Sequence, residues 1–263
     1  MYSADSNFQM RFSRQTTESK GIAYIDEWYQ GDTGQYLFEQ IQERVSPLLT
    51  TTFGYYSLQV GCTGLSARLL ESCRVKHQFT LEQCLPGSDI RACPALLPIA
   101  SDSVDLVVLM HHLSNTAEPH AILREAFRVL IPEGKLIIID FNPVSLWGIR
   151  HFFQAWLEKA PWNGHYYTAS RLNDWMNLLG FDQYRHYRLG YLPPIQKISI
   201  TRRLGWLEKG MKNWLPMLSA INVLVYSKNI SPMTPVRHRW VTRKLLPRKV
   251  ARPSVGHGMN KEQ

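Results

Sequence analysis

The sequence predicts an α/β protein built on a doubly wound, mostly parallel sheet, and three features between Pro94 and Pro143 predict it. The runs Val104-Asp-Leu-Val-Val-Leu-Met110 and Leu136-Ile-Ile-Ile-Asp-Phe141 are almost continuously apolar, as strands covered by helices on both faces are. Between them, Ile122, Leu123, Ala126, Phe127, Val129 and Leu130 recur at helical spacing, while Arg124, Glu125 and Arg128 take the wet side. Pro119 stands where a first-turn proline is tolerated. Pro132 has no amide proton to continue the helix, so Ile131-Pro-Glu-Gly134 reads as its end and the turn into the second strand. Strand, helix and parallel strand in this order make a right-handed crossover.

The remaining elements follow in order. Residues 35–49 place Leu37, Ile41 and Val45 on one face of a helix ahead of the sheet. Tyr56 to Val60 is a first strand entering the turn Gly61-Cys-Thr-Gly64, Leu65 to Ser72 a short helix, Val75 to Leu81 a second strand, and Asp89 to Ala92 a short third. Only Gln83 to Ser88 would join the last two. A parallel crossover takes about a dozen residues with its helix, so the connection between strands 2 and 3 is shortened. After Pro143 come an aromatic stretch, a helix near Ser170–Leu179 closed by Gly180, a strand at Phe181–Tyr187, an amphipathic segment at 200–217 and a last strand at Ile221–Ser227.

Composition narrows the class. A hydrophobic content of 44% suits a globular protein, and no run approaches the roughly 18 apolar residues of a membrane span. The polar start lacks the apolar core of a secretory signal, which places the protein in the cytoplasm. Cys62, Cys73, Cys84 and Cys93 form no C-x-x-C pair, and the nine His show no H-x-x-x-H spacing, so no metal is expected. Charge is uneven. From residue 209 onward eleven Lys and Arg face one acid, Glu262, a balance of +10 against −1 for the first 208 residues. The chain divides into a disordered N-terminus at 1–20, one domain at 21–230 with lid and substrate-side elements at 143–218, and a basic, flexible tail at 231–263. Such a tail suits RNA or an anionic membrane surface, and is equally consistent with plain solvation.

In open α/β sheets ligands sit at the carboxyl ends of the strands. Gly61 to Gly64 stands where a cofactor loop would be, since glycine lets backbone approach a ligand closely. Glu82 follows Gly61 by 21 residues. That is near the spacing of an acid that holds ribose hydroxyls, although a solvated loop carboxylate fits as well. His111 and His112 follow the fourth strand, where one could act as a general base or both could serve packing and the loop. Tyr166 and Tyr167, and the tryptophans at 147, 156, 162, 206 and 214, read either as substrate contacts and a lid or as ordinary aromatic packing.

The motifs LLP-x₄-S-V-D-L-V-V-x₂-H-H-L, E-P-H-x-I-L-R-E-A-x-R-V-L-x-P-E-G and F-N-P-V-S-L-W-G resemble the class I S-adenosylmethionine-dependent methyltransferases, type 11 branch. Leu58-Gln-Val-Gly61 and Phe141 to Gly148 are similar to a proteobacterial subgroup within it. The resemblance spans roughly residues 28 to 240 and implies a Rossmann-like, seven-stranded sheet with the last strand antiparallel. It implies S-adenosyl-L-methionine over Gln59, Gly61, Cys62 and Gly64, with Glu82 on the ribose, Ala92 and Cys93 at the adenine, and Met110 to Leu113, His111 included, lining the pocket. The expected activity is methyl transfer to a small-molecule or lipophilic acceptor. Alternatives are a non-catalytic binding protein on the same fold and an RNA-associated methyltransferase using the basic tail.

Three positions depart from the family pattern. Gln59 stands for the usual acid, Gly61-Cys-Thr-Gly64 for the fuller glycine loop, and Cys93 for the aspartate that meets the adenine amine. Each such loss is worth about 1–3 kcal/mol, and two together would cost on the order of a hundredfold in affinity.

Overall fold

The computed structural model describes residues 20–82, 87–148, 164–191 and 215–229, all within one compact unit, 1–230. A helix α1 at 20–30 comes first, with Ile22, Ile25 and Tyr29 fully buried at helical spacing. After Gly31 the chain continues as α2 (Asp32–Thr50), whose buried Leu37, Phe38, Ile41, Val45, Leu48 and Leu49 define one inward face. Next come β1 (Phe53–Val60), α3 (Ser66–Leu69), β2 (Arg74–Leu81), β3 (Val104–Met110), α4 (Pro119–Val129) and β4 (Leu130–Phe141). The described elements close with α5 (Ala169–Leu179), β5 (Phe181–Leu189) and β6 (Ile221–Lys228).

The strands lie in the order β2-β1-β3-β4-β6-β5. The first four are mutually parallel, and β6 runs antiparallel to both neighbours. One face of the sheet is covered by α1, α2 and α3 over Leu106, Val108, Met110, Ile137 and Ile139. The other is covered by α4 and α5 over Val107, Leu109, Leu136, Ile138 and Leu224. This two-sided cover is why the β3 and β4 sequences are apolar at nearly every position. Thr168 caps α5 by accepting the Arg171 amide, and Gly180, at φ +89°, ends it in the left-handed conformation.

Two features differ from the sequence expectation. The short strand expected at Asp89–Ala92 is a single parallel bridge, Leu81 to Ile90, so six strands are described. The Asp89 carboxylate accepts the Thr80 amide and hydroxyl at 2.8 and 2.7 Å, and its own amide donates to Thr80 Oγ1. A side chain therefore takes the place of further ladder bonds. The second difference concerns Ile131-Pro-Glu-Gly134. This turn is a bulge inside β4 rather than a loop before it, because register jumps from Val104–Leu130 to Leu106–Lys135 and Glu133 sits at φ +65°.

The segment 91–103 that enters β3 contains no helix. The lower parts of β1 and β2 are accordingly less covered. Phe53, Tyr55, Tyr56 and Phe79 are exposed, and Tyr56 stacks on His77 and Phe79.

Candidate active site

The carboxyl ends of β1, β3 and β4 meet α1 in a buried polar cluster. Gly61 leaves β1 at φ +81°, and a Cβ there would stand 2.4 Å from the Met110 carbonyl. Glycine is thus required both by conformation and by the close approach of the two strand ends. Cys62 follows at φ +44° and is fully buried. Its thiol is pushed well up, first by burial and then by Asp26, Glu82 and Asp140, three carboxylates that face it.

Gln59 does not merely lack the charge of the usual acid. Its Nε2 donates to the carbonyls of Gly61 and Cys62 at 3.3 and 3.0 Å, so the side chain holds the loop shut from below. The carboxylate on this loop comes from α1 instead. Asp26 Oδ2 accepts the Gly64 amide at 3.1 Å. Burial raises the Asp26 carboxyl, an effect opposed by that amide bond and by His111.

His111 and His112 begin the turn after β3, and both are buried. His111 adopts φ +51°, a conformation that side chains other than glycine rarely hold. Its ring stacks on Phe141 at 4.3 Å, its Nε2 lies 2.7 Å from the Tyr29 hydroxyl, and its Nδ1 lies 3.6 Å from Asp140 Oδ1. Asp140 Oδ1 also accepts the Ser114 hydroxyl and the Phe141 amide. His112 is pushed down to about 4 by burial, against the pull of Asp140, and stays neutral. Tyr29 is pushed well above its ordinary range by burial and by the surrounding Cys62 and carboxylates.

Of the residues anticipated from the sequence, Gln59, Gly61, Cys62, Gly64, Met110, His111 and His112 come together at this edge, with the Glu82 carboxylate near Cys62. Glu82 is buried rather than a solvated loop carboxylate. Ala92 and Cys93 lie farther along the chain past the Ile90 bridge, Ala92 packing against the core under α4 and α5. Trp147 is buried against Trp28, and Tyr166 meets Phe141 at 5.5 Å. Trp156, Trp162, Trp206 and Trp214 lie outside the described residues, as does the tail.

Asp26, Tyr29, Ser114 and Asp140 were missed. Ile22, Ile25 and Tyr29 at helical spacing announce α1. Asp140 is an acid closing an apolar run at the carboxyl end of a parallel strand, the position where such sheets bind ligands. The Phe141 to Gly148 motif has a structural reading. Asn142 donates to the Met217 and Ser219 carbonyls and tethers the end of β4 to the start of β6. Ser145 Oγ accepts the Gly148 amide.

Across the cluster, Asp26 Oδ1, Gln59 Oε1, Asp140 Oδ2, His111 Nδ1 and His112 Nδ1 have no hydrogen-bond partner among the described residues. No Lys or Arg among those residues pairs with Asp26 or Asp140. No group of three or more His, Cys, Asp or Glu there is arranged to hold a metal.

Comparison with known proteins defines the class. A type 11 family model described as "Methyltransferase domain" matches residues 45–138. A Thermotoga maritima structure, described as a "SAM-dependent methyltransferase, possible histamine N-methyltransferase", superposes with a TM-score of 0.57 at 14% identity, over 80% of this chain and 98% of that one. A SAM-dependent methyltransferase from Archaeoglobus fulgidus gives 0.53 at 12% identity, over 72% and 94%. These two show the fold.

The chain belongs to the class I S-adenosylmethionine-dependent methyltransferases, type 11 branch. It is 32% identical over 213 residues to "Uncharacterized protein YafS" of Escherichia coli K12, covering 80% of this chain and 83% of the relative. A mitochondrial 2-methoxy-6-polyprenyl-1,4-benzoquinol methylase of Caenorhabditis elegans is 39% identical over only 49 residues, 17% of its length.

Proposed function

We propose that this methyltransferase binds S-adenosylmethionine at the carboxyl edge of β1, β3 and β4 and methylates a small, apolar acceptor. The observation that carries the reading is the balance of the cluster. Carboxylates from α1, the end of β2 and β4 face one buried thiol, and the polar atoms without partners are chiefly acceptors. A buried cluster of that kind calls for a donor-rich, cationic ligand. S-adenosylmethionine brings an ammonium and a sulfonium, and supplies the methyl group when bound.

The residues fit that group. Gly61 to Gly64 would take its methionine and sugar parts, Glu82 the ribose hydroxyls, Ala92 and Cys93 the adenine, and Met110 with His111 the wall. Asp26 would hold the ammonium in place of the acid that Gln59 replaces. Trp28, Tyr29, Phe141, Trp147 and Tyr166 form an aromatic wall suited to a lipophilic acceptor. Among the described residues no helix is long and apolar enough to cross a membrane. RNA or membrane-surface contact would fall to the basic tail, outside the described residues.

Calorimetric titration with S-adenosylmethionine and S-adenosylhomocysteine tests the reading. Saturable one-site binding of both is expected. No heat at millimolar ligand would contradict cofactor use and favour a non-catalytic role.

A further inference from the structure

Tyr29, His111, Ser114 and Asp140 come from three separate parts of the chain, α1, the turn after β3 and the end of β4, yet they meet with almost no exposed surface. The chain bears a positive φ at His111 to aim the ring, and strain of this kind persists where surrounding structure holds it for a purpose. Phe141 fixes the plane of the imidazole by stacking. Asp140 lies on the Nδ1 side, itself held by Ser114 and the Phe141 amide, and Tyr29 lies on the Nε2 side. An anion beside Nδ1 draws the ring proton to that nitrogen. The Nε2 lone pair then faces Tyr29, whose hydroxyl donates to it.

We propose that Tyr29, His111 and Asp140 form a proton relay for an uncharged phenolic acceptor, an inference that rests on the methyltransferase reading above. Tyr29 Oη is the catalytic atom, because its remaining lone pair can accept the acceptor's hydroxyl proton. As the acceptor oxygen bonds to the methyl carbon, its own proton passes to Tyr29 Oη and the Tyr29 proton passes to His111 Nε2. The carbon–sulfur bond breaks with its electron pair left on sulfur, so the positive charge lost there reappears on the imidazole. Asp140 stabilises that charge, the logic of a hydroxyl–His–Asp triad with tyrosine as its outer member. His111, Asp140 and Ser114 act through Tyr29 and are positioning residues.

The acceptor class follows from the surroundings. Asp26 and Asp140 would repel an anion. A phenol, with an ordinary acidity near 10, can give up its proton as the new bond forms, whereas an aliphatic alcohol is far too weak an acid. The aromatic neighbours Trp28, Phe141 and Tyr166 suit a flat ring. Tyr29 and Asp26 both sit on α1, which a single residue, Gly31, joins to α2. An acceptor reaching Tyr29 must therefore displace α1 slightly.

Two measurements on the full chain test the relay. In the first, ¹⁵N-histidine spectra, assigned with His111→Gln, should show the His111 proton on Nδ1 in the presence of S-adenosylmethionine. Asp140→Asn should move it to Nε2. A wild-type ring protonated only on Nε2 overturns the relay, because Tyr29 could not then pass its proton on. In the second, a series of substituted phenols is offered with methyl-labelled S-adenosylmethionine. Methyl transfer is expected, and Tyr29→Phe should lower it by about 100-fold or more with S-adenosylmethionine affinity changed less than about threefold. Transfer to none of the phenols by a wild type that binds S-adenosylmethionine overturns the acceptor class, and undiminished transfer by Tyr29→Phe overturns the relay. Failure to bind S-adenosylmethionine defeats the cofactor reading instead, and the tautomer result stands apart from it.

Discussion

The β3-β4-β6-β5 half of the sheet and the β1-β2 half are built to different standards. In the first, long strands pair along most of their length, helices cover β3, β4 and β6, and Ile137, Ile138, Leu224 and Val225 are fully buried. In the second, the crossover between the Ile90 bridge and β3 has no helix, a side chain does duty for ladder bonds at Asp89, and aromatic rings remain in water. The candidate site lies where the two halves meet, at the carboxyl ends of β1, β3 and β4. The glycine loop belongs to the less covered half, and α1 brings a carboxylate to it from outside the sheet.

Core truncation should separate the halves most. Ile138→Ala is expected to cost about 4 kcal/mol, since a fully buried branched side chain leaves a cavity. Phe79→Ala, on the exposed stack, is expected to cost no more than about 0.5–1 kcal/mol. Urea unfolding followed by circular dichroism measures both. Equal costs would erase the contrast.

Gly61→Ala is expected to cost about 3 kcal/mol, because it combines a left-handed φ with a 2.4 Å clash against Met110. S-adenosylmethionine binding should be lost with it. The same substitution at Gly87, where a Cβ meets nothing but φ is +96°, should cost about 1 kcal/mol and leave binding intact.

Acid should act through His112. Its folded pKa of about 4 lies below the ordinary 6.5. Between those values the unfolded chain takes up a proton that the folded chain refuses, so stability falls as pH drops. The loss across that window is about 3 kcal/mol. Denaturation midpoints measured from pH 7 to 4 should show this slope, and His112→Gln should flatten it. An unchanged slope in the variant would assign it to other groups.

Much of the fold was legible because its signals are local. Apolar runs marked β3 and β4, periodicity marked α4, and Gly180 marked the end of α5. What was not legible depended on distance. The third strand failed because Asp89 reaches back to Thr80, which spacing alone does not reveal. The site was half legible. Gly61, Glu82 and His111 follow from their positions relative to strand ends. Asp26 and Tyr29 join the site only because α1 folds back over a loop 38 residues from Asp26. The loss of the acid at 59 is visible in the sequence; the carboxylate proposed to replace it, from α1, is visible only in three dimensions.

That replacement is the central claim, and a charge-swap titration tests it most directly. Calorimetry with S-adenosylmethionine should show Asp26→Asn weakened about 10- to 100-fold, the worth of one charged hydrogen bond. Adding Gln59→Asp to that variant should recover part of the loss by restoring the acid to β1. Wild-type affinity in Asp26→Asn, with no response to Gln59→Asp, would contradict the account.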